Sequence, residues 1–395
     1  MANNKNTKVP NVPNLRFPEF TEEWKKCKLG DLCNVLMCKR ILASQTNTED
    51  GVPFYKIGTI GSTPDAYISK ELFDDYKVKY SYPHKGEVMI TCAGTVGKCV
   101  VYDGEDAYFQ DSNIVWIDNP TQNISNGFLF HLLSKVDWRK LNSTTIIRIY
   151  NDDLRNLKMS YPQKEEQQKI SHLLSLLDER ITTQNKIIED LKKLKSAIID
   201  YAIDSLDANF MKFGYLYETA GEGGTPTTSN ASFYDNGKIP FIKIDDLKKK
   251  YLVENNDFIT ELGLQKSSAW LVPTQSILFS NGATIGEIAI TTYPVCTKQG
   301  ILGIVPKSNI DVEFLYYFMS SSYFKKAISR IVTEGTMKTA YLKDINNIRC
   351  PIPTKEKQQE IAKIPSAINS KIDFEQSILR LFYAQKQYLL RQMFI

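Results

Sequence analysis

The sequence contains the same polar phrase twice. Residues 162–170 read PQKEEQQKI and residues 353–361 read PTKEKQQEI, 191 positions further along the chain. The match extends upstream in the same register, so that Tyr150 corresponds to Tyr341. A repeat of this length indicates one structural module encoded twice. The chain of 395 residues is therefore expected to fold as two related modules rather than around a single core.

A long segment of helical periodicity follows each copy of the phrase. Apolar residues recur in alternating steps of four and three, which predicts a stripe along one helix face. Polar residues interrupt the stripe at equivalent places, Gln184 and Lys195 in the first segment and Glu375 and Lys386 in the second. The stripes consist of Ile170, Leu174, Leu177, Ile181, Ile188, Leu191 and Ile198, and of Ile361, Pro365, Ile368, Ile372, Leu379, Phe382 and Leu389.

The two helical segments are expected to pair with each other. A helix over residues 164–203 would be about 60 Å long, and its apolar stripe needs a partner that the twin segment can supply. We predict an intramolecular coiled coil, with packing in a helical bundle as the alternative, and the sequence leaves the relative direction open. Pro365 replaces Leu174 in the repeat and is expected to kink or restart the second helix near Ile364.

A globular segment precedes each long helix and is repeated as well. VPFYKIGTI at residues 52–60 matches IPFIKIDDL at residues 239–247, and AGTVGK at residues 93–98 resembles GATIGE at residues 282–287. Short β-branched and aromatic runs bounded by Gly, Pro or Asn predict strands in both copies. The predicted fold class is α/β in the mixed α+β sense, with two pseudo-repeated globular domains and two long helices.

The repeat divides the chain into five predicted segments. They are an N-terminal lead-in (1–21), a first globular domain (22–160), a central long helix (161–204), a second globular domain (205–352) and a C-terminal long helix (353–395).

Composition excludes several classes of protein. The first twenty residues contain no apolar run typical of a secretory signal, and no stretch approaches the roughly 18 apolar residues of a membrane span. We therefore expect a cytoplasmic protein without a membrane contact. The seven cysteines form no C-x-x-C pair, and His84, His131 and His172 are scattered, so free, mostly buried thiols and no bound metal are expected. A net charge of +4 permits nucleic-acid binding without requiring it.

This organisation resembles the specificity subunit of type I restriction-modification systems. Members of that family carry two target-recognition domains, each followed by a long helix that typically opens with a Pro-x-x-x-E-Q-x-x-I phrase. The run NLRFPEFTEEWKKCKLGDL at residues 14–32 is also similar to the family's lead-in. The resemblance implies an antiparallel pairing of the two helices. It also implies that each domain reads one half of an asymmetric bipartite DNA target, while the helices set the spacer.

The same resemblance implies a set of partners. They are double-stranded DNA, two copies of an adenine-specific modification subunit, and restriction subunits that act as ATP-dependent translocases and nucleases. It further implies that this chain binds no cofactor itself, and that S-adenosylmethionine, ATP and Mg are used by the partner subunits.

A self-sufficient DNA enzyme is the first rival interpretation, and the sequence lacks its motifs. PD at residues 64–65 followed by DYK at residues 75–77 only loosely imitates a nuclease site, and AGTVGK lacks the first glycine and the Ser/Thr of a phosphate-binding loop. NPT at residues 119–121 is the nearest approach to a methyltransferase motif. GEGGTP at residues 221–226 is a glycine-rich turn rather than a cofactor loop. The second rival, a structural coiled coil that never contacts DNA, does not explain two β-rich domains, so we predict a non-catalytic DNA reader.

Candidate DNA-binding residues are polar side chains in the loops between predicted strands. Base edges favour Arg, Lys, Asn and Gln, and phosphates favour Lys, Arg, Ser and Thr. Lys56 and Lys243 occupy one place in both modules, which suits phosphate contacts that both half-sites share. The predicted residues are Lys56, Thr95, Lys98, Gln110, Asn113, Arg148, Lys243, Asn281, Thr284, Lys298, Gln299, Arg330 and Lys338.

Candidate partner-docking residues lie in the repeated phrases, because two equivalent surfaces could recruit two equivalent subunits. The alternative is that they only cap the helices, since acidic residues complement a helix N-terminus. Lys357 and Glu360 reverse the charges of Glu166 and Lys169, which is expected to alter local ion pairing. The predicted docking residues are Glu165, Gln167, Gln168, Glu356, Gln358 and Gln359.

Overall fold

The chain folds into two compact units. Unit 1 consists of Met1–Gln184 with Ile378–Ile395, and unit 2 consists of Asn185–Ser377. Each unit therefore contains one globular domain, the first part of one long helix and the last part of the other. The computed structural model describes residues 10–140, 148–282, 284–332 and 338–395.

Two of the helices are much longer than the rest. The α-helices are α1 (Lys70–Lys79), α2 (Asn126–Lys135), α3 (Asn151–Arg155), α4 (Lys164–Asp204), α5 (Glu261–Gln265), α6 (Val312–Ser320), α7 (Ser322–Ile331), α8 (Leu342–Ile345) and α9 (Lys355–Gln392). Short 3-10 turns lie at Leu29–Asp31, Ala43–Gln45, Trp138–Lys140, Phe213–Tyr215, Ala231–Phe233 and Ile244–Asp246.

The strands of unit 1 form three small sheets within the described residues. They are β1 (Lys25–Lys28), β2 (Asn34–Leu36), β3 (Val52–Tyr55), β4 (Tyr67–Ile68), β5 (Val88–Thr91), β6 (Cys99–Val101), β7 (Tyr108–Phe109), β8 (Ile114–Asp118) and β9 (Lys158–Tyr161). The antiparallel central sheet has the order β2-β8-β5-β6. A second sheet has the order β4-β3-β7 with β3 parallel to β7, and β1 pairs with β9 alone.

Unit 2 repeats this plan, with five strands instead of four in the described central sheet. They are β10 (Phe210–Lys212), β11 (Tyr217–Glu222), β12 (Ile239–Ile242), β13 (Tyr251–Leu252), β14 (Phe258–Ile259), β15 (Ile277–Ser280), β16 (Ile288–Thr291), β17 (Cys296–Thr297), β18 (Ile301–Pro306) and β19 (Arg349–Pro351). The central sheet has the order β11-β18-β15-β16-β13, the second has β14-β12-β17, and β10 pairs with β19. The predicted mixed fold with two related domains and two long helices is confirmed.

The long helices pair antiparallel inside each unit. In unit 1, Ile170 near the start of α4 lies in the same core as Leu390 near the end of α9. In unit 2, Ile203 near the end of α4 lies in the same core as Ala362 near the start of α9. The start of α4 thus lies with the end of α9, and the end of α4 lies with the start of α9, so the two helices run antiparallel, as the resemblance implied. Each long helix begins in the core of one unit and ends in the core of the other.

The second long helix continues through Pro365. Helix α9 runs from Lys355 to Gln392 without a second start near Ile364, so the predicted restart is wrong. Proline removes one backbone donor, which leaves the carbonyl of Ile361 without its usual helical partner. The proline ring is buried in unit 2, and this packing offsets the lost hydrogen bond.

The polar interruptions of the stripes join the two helices. In unit 1, Lys386 Nζ binds the carboxylate of Asp178. In unit 2, Lys195 Nζ donates to Asn369 Oδ1 at 2.9 Å. Lys195 and Lys386 occupy equivalent positions of the repeat, 191 residues apart. Their partners Asp178 and Asn369 are also 191 residues apart and therefore equivalent. A polar pair at a fixed place in an apolar seam specifies register, so these contacts favour the antiparallel alignment over shifted ones.

All seven cysteines are free, and five of them are buried. Burial raises the pKa of the Cys33 thiol to about 12 and that of Cys27 to about 11. These thiols are therefore protonated near neutral pH, and the expectation of free, mostly buried cysteines is confirmed. In the described part of the chain, no helix has the length and apolar character needed to cross a bilayer.

One buried histidine faces the helix pair of unit 1. His131 on α2 is 1% exposed. Burial is the main cause that lowers the pKa of the imidazole; Asp178 opposes the shift and Lys386 adds to it, and the resulting pKa is about 4. The ring is therefore neutral at physiological pH, and protonation would place an extra charge in the core.

Removing Asp178 tests the register contact. The side chains of Lys386 and Asp178 are 18% and 33% exposed, so Asp178→Ala leaves a half-buried ammonium without its partner. We expect a loss of about 1–2 kcal/mol in the free energy of unfolding. Asp178→Asn recreates the lysine–asparagine pair of unit 2 and should cost less. Urea unfolding measures both variants, and equal stabilities for the alanine variant and the wild type would contradict the assignment.

His131 predicts a specific dependence of stability on pH. The imidazole takes up its proton more readily in the unfolded chain, because the folded pKa is near 4 and the ordinary value is 6.5. Stability from the neutral ring is complete above pH 6.5 and is lost as the pH falls from 6.5 towards 4, by on the order of 3 kcal/mol. His131→Leu should flatten that part of the urea-unfolding pH profile. A variant profile parallel to the wild-type profile would refute this prediction.

Candidate nucleic-acid interface and partner surfaces

Three turns of unit 1 meet at one edge of its sheets. The turns that follow β3 and β7 lie side by side because these strands pair in parallel, and the Gln110 N–H donates to the Tyr55 carbonyl at 2.9 Å. The third turn is the hairpin connection between β5 and β6, which contacts the turn after β7 because the Cys92 N–H donates to the Asn113 carbonyl at 2.7 Å. We call this surface the loop edge of unit 1, formed by residues 56–61, 92–98 and 110–113.

The loop edge contains or contacts all the residues predicted for unit 1. Lys98 Nζ binds the Ile60 carbonyl, and Gln110 Oε1 accepts from the Ile57 N–H at 3.4 Å. Thr95 is exposed at the hairpin tip, and Asn113 is half-buried. Arg148 reaches the same edge from the segment before α3, where its Nη2 donates to the Ser112 carbonyl at 3.3 Å. The structure thus brings these six side chains together.

The AGTVGK run is a hairpin connection, as predicted. Strand β6 follows it directly and pairs antiparallel with β5. Gly97 has φ +82°, and a Cβ at this position would lie 2.1 Å from Trp138 Cδ1. Only glycine meets both conditions. The run therefore serves tight packing of the hairpin against Trp138.

Unit 2 builds an equivalent loop edge. The Lys298 N–H donates to the Ile242 carbonyl at 2.9 Å, which repeats the bond from Gln110 to Tyr55. The Asn281 N–H donates to the Gly300 carbonyl at 3.0 Å and brings in the hairpin between β15 and β16. Thr284, Lys298 and Gln299 are exposed here. We call this surface the loop edge of unit 2, formed by residues 243–247, 281–282, 284–287 and 298–300.

Asn281 is a correction to the predicted DNA-binding set. Its side chain is only 1% exposed, and Nδ2 donates to the Ala340 carbonyl at 3.3 Å. The backbone of the same residue accepts from the Ala340 N–H at 2.9 Å. Asn281 fastens the segment before α8 to the sheet, and a buried side chain in this position does not contact DNA.

Two further predicted residues of unit 2 lie apart from its turns. Lys338 lines an apolar cavity beside the hairpin, together with Ile285 and Gly286. Arg330 lies at the end of α7, in a groove that it shares with Asn347 and Arg349. The structure therefore places Lys338 next to the loop edge, whereas Arg330 belongs to a different surface.

The position-matched lysines are each held by an aspartate. Lys56 Nζ lies 2.9 Å from Asp65, and Lys243 Nζ lies 2.7 Å from Asp257. Both pairs are substantially exposed, and exposed ion pairs contribute only about 0–1 kcal/mol. A phosphate oxygen can replace the aspartate at little cost, so these contacts orient the lysines without preventing DNA binding.

Arg40 contacts the loop edge of unit 1, and the sequence interpretation missed it. Its Nε donates to the Asp111 carboxylate at 3.0 Å, and its side chain is 67% exposed. Arg40 follows β2 in a connection between strands, so the rule that selected the other candidates also applies to it. The repeated segments do not include the connection after β2, so the sequence pattern did not single out Arg40.

The residues that loosely imitated a nuclease site are not gathered into one. Asp65 pairs with Lys56, and Asp75 pairs with Lys79 four positions along α1. Across the described residues, no group of three or more His, Cys, Asp or Glu side chains could hold a metal ion. These carboxylates form separate surface ion pairs.

Two of the predicted docking residues are buried and form internal hydrogen bonds. Gln167 is 0% exposed: its Oε1 accepts from the Ser125 N–H at 2.7 Å, and its Nε2 donates to the Asn123 and Pro162 carbonyls, both at 2.9 Å. Ser125 is the N-cap of α2. Gln167 therefore ties the first turn of α4 to the start of α2, and its assignment to partner docking is corrected.

Gln358 makes the same contacts in unit 2. It is 1% exposed, its Oε1 accepts from the Asp311 N–H at 2.8 Å, and its Nε2 donates to the Asn309 and Pro353 carbonyls at 3.3 and 2.9 Å. Asp311 is the N-cap of α6. This assignment is corrected for the same reason. We call Gln167 and Gln358, each with its three hydrogen bonds, the glutamine clamps.

The remaining docking candidates are exposed on the first turns of the long helices. Glu165, Gln168, Glu356 and Gln359 all face solvent. Hydrogen bonds from the Glu356 backbone N–H and from Thr354 lower the pKa of the Glu356 carboxyl, which fits helix capping. The exposed side chains of Glu165, Gln168 and Gln359 are available to a partner.

The charge reversal between the two phrases has a structural reason. Glu166 is 0% exposed and accepts from both Nε and Nη2 of Arg16 at 2.7 Å. This contact raises the pKa of Arg16 and fastens the N-terminal lead-in to unit 1. The equivalent Lys357 in unit 2 is exposed and pairs with Glu360 at 2.9 Å. The expected change in ion pairing is confirmed.

Comparison with known proteins identifies the repeated domains. The family model for the type I restriction modification DNA specificity domain matches residues 21–193 and again residues 207–381. The two matches together cover most of the chain, and each contains one globular domain and most of its long helix.

Individual relatives agree with the family match. A provisionally assigned type I restriction enzyme specificity subunit from Haemophilus influenzae is 50% identical over 42% of this chain and 43% of its own length. Another, assigned to the MjaX system of Methanocaldococcus jannaschii, is 24% identical over 93% of this chain and 92% of its own length. The crystal structure of a type I restriction-modification S subunit from M. genitalium shares the fold, with a TM-score of 0.60, 18% identity, and coverage of 97% of this chain and 99% of that one.

The glutamine clamps predict unequal effects for neighbouring glutamines. Gln167→Ala or Gln358→Ala removes three hydrogen bonds and leaves buried backbone groups without partners, so each should lower the free energy of unfolding by about 2–4 kcal/mol. Gln168→Ala and Gln359→Ala, the matched exposed controls, should change it by less than about 0.5 kcal/mol. Urea unfolding distinguishes the two sets. If Gln167→Ala and Gln168→Ala, or Gln358→Ala and Gln359→Ala, lowered the free energy of unfolding equally, the clamps would not stabilise the fold.

Proposed function

The chain belongs to the type I restriction-modification DNA specificity family, and we propose that it is the subunit that selects the DNA sequence for such a complex. Each unit reads one half of an asymmetric bipartite target through its loop edge, and the chain performs no catalysis. The observation that carries this proposal is the loop edge built twice with the same backbone contacts and with different side chains.

The two loop edges share their framework in detail. In the first hairpin the Lys98 N–H donates to Thr91 Oγ1 at 3.0 Å, and in the second the Glu287 N–H donates to Ser280 Oγ at 2.8 Å. The hydrogen bond from the backbone N–H to a hydroxyl thus recurs, while the side chain of the donor residue changes from the cation of Lys98 to the anion of Glu287. An anion and a cation at equivalent places on two reading surfaces favour different bases and different phosphate contacts. This supports two unlike half-sites.

A second equivalent position differs as well. Gln110 and Lys298 follow parallel strands that pair in the same way in both units. Glutamine can make two hydrogen bonds to an adenine edge, whereas lysine favours guanine. The common Lys56 and Lys243 suit phosphates, which every sequence presents. Each edge thus combines general backbone contacts with specific readout.

The long helices fit the spacing role that we propose for them. Helix α4 contains 41 residues, which corresponds to a length of about 60 Å. Half-sites read from one side of a duplex recur about every 34–36 Å. The exposed residues at the two helix starts offer two equivalent docking surfaces. They support the recruitment of two copies of an adenine-specific modification subunit.

The remaining parts of the proposal concern the complex. Restriction subunits add ATP-dependent translocation and cleavage, and S-adenosylmethionine, ATP and Mg act in the partner subunits while this chain binds none of them. Double-stranded DNA is the shared substrate, and the complex works in the cytoplasm. Incubating the pure chain with DNA and labelled methyl donor tests the division of labour: methyl transfer without the modification subunit would contradict it.

Selection from random DNA tests the two-reader proposal. The wild-type chain assembled with its modification subunits should enrich two short half-sites. Lys298→Ala with Gln299→Ala should relax base preference in one half only, and Gln110→Ala with Asn113→Ala should relax it in the other half only. Each double variant serves as the control for the other. Loss of preference in both halves from one double variant would contradict separate reading.

Lys243→Ala tests the proposed phosphate contact. The substitution should weaken binding to every DNA sequence and lower the slope of log affinity against log salt by about 1. Lys238, an exposed lysine just before β12, provides the matched control, because Lys238→Ala removes the same charge at the other end of the strand. Fluorescence anisotropy over a salt series measures both variants. A Lys243→Ala slope equal to that of the wild type would exclude the contact.

A further inference from the structure

The first and last strands of each domain bring two cations face to face. Strands β1 and β9 pair so that Lys28 lies opposite Lys158, and β10 and β19 pair so that Lys212 lies opposite Arg349. All four side chains are exposed. Lys158 and Arg349 occupy equivalent positions of the repeat. We call these the framework cation pairs.

The side chains of the cation pairs have no ion-pair partner in the described part of the chain. None of the four side chains forms an ion pair there. Like charges directly opposite each other across two strands are destabilising. Asp31 lines the groove of Lys28 and Lys158, and Asp344 lines that of Arg349, but neither carboxylate forms an ion pair with these cations. An unfavourable pair that recurs in the framework of both units is a feature that a ligand would explain.

The lysines of both pairs are positioned by the same device. Lys28 Nζ donates to Asn156 Oδ1 at 3.0 Å, and Lys212 Nζ donates to Asn347 Oδ1 at 3.1 Å. The amide groups are themselves fixed, because Nδ2 of each asparagine donates to a backbone carbonyl four residues earlier, at 3.0 Å in both units. A neutral amide oxygen orients the ammonium without neutralising it, so the positive charge stays available.

The position of the pairs separates them from the loop edges. Strands β1, β9, β10 and β19 contribute no residue to either loop edge. They lead instead to the helix starts, since Lys158 precedes Glu165 by seven residues and Arg349 precedes Glu356 by seven. Strands β9 and β19 therefore lead directly into the long helices whose first turns carry the exposed docking candidates.

We propose that each framework cation pair binds an acidic patch of one modification subunit, through charge-assisted hydrogen bonds to its carboxylates. This inference rests on the proposed function, because it requires one partner present in two copies. The two loop edges differ in charge at equivalent places, as expected of surfaces that meet different DNA. The cation pairs do not differ in charge and, unlike Lys56 and Lys243, lie outside the loop edges, as expected of surfaces that meet the same protein twice.

Neutralising one cation in each pair tests the inference in the full chain. Lys158→Gln with Arg349→Gln should weaken assembly with the purified modification subunit by about tenfold or more, and should reduce the salt dependence of assembly. The thermal midpoint of the free chain should stay the same or rise, because the substitutions relieve the opposed charges. Isothermal titration calorimetry at two salt concentrations and thermal unfolding give these readouts.

Two controls accompany the test. Lys85→Gln with Lys238→Gln removes two charges from exposed lysines elsewhere on the two domains and should leave assembly unchanged. Lys158→Arg with Arg349→Lys keeps both charges and should retain most of the affinity. Loss of assembly in the charge-retaining variant as well would overturn the charge-based account.

The other outcomes are distinguishable. If the wild type assembles and the neutral variant assembles equally well, the inference is overturned and the proposed function stands. If assembly is unchanged while the salt slope of DNA binding falls, the pairs bind phosphates, which also overturns the inference. If the wild-type chain does not bind the modification subunit at all, the proposed function fails together with the inference.

Discussion

The glutamine clamps are the contacts on which the arrangement of each unit depends. A long helix that leaves a small domain must start in a fixed direction, and a capped first turn alone does not set that direction. Gln167 and Gln358 supply the missing constraint, because each satisfies the N-cap backbone of a shorter helix and a carbonyl just before its own helix. Both clamps are buried, so their hydrogen bonds have no competition from water.

The far ends of the long helices complete the same structure. Ile203 near the end of α4 and Leu390 near the end of α9 are core residues of the unit that their helix enters last. Neither unit has its full core without the helix that begins in the other. Between start and end, the contacts of Lys195 and Lys386 hold the alignment. A helix fixed at both ends and registered between them is suited to define a spacing.

Much of this architecture could be predicted because the chain repeats itself. The stripes, the hairpin at AGTVGK and the two-domain organisation all rest on patterns that are local or that recur. The adjacent glutamines were different, because they point about 100° apart around the helix and only the packing of α2 or α6 decides which one faces inwards. Asn281 was mistaken for a surface reader, although its equivalent in the first domain, Cys92, is a buried residue type that could have signalled an interior position. The continuity of α9 through Pro365 likewise depends on burial that the sequence does not display.

The two loop edges show how one framework can read two sequences. Strand pairing and turn hydrogen bonds recur between the units, while the residues at equivalent places, such as Lys98 and Glu287, differ in charge. The most direct measurement is to co-express the chain with its modification subunit and map methylated adenines across the host DNA by single-molecule sequencing. The account predicts two short, different half-sites separated by a constant unspecified spacer. Methylation at a single continuous site, or none despite a stable complex, would contradict it.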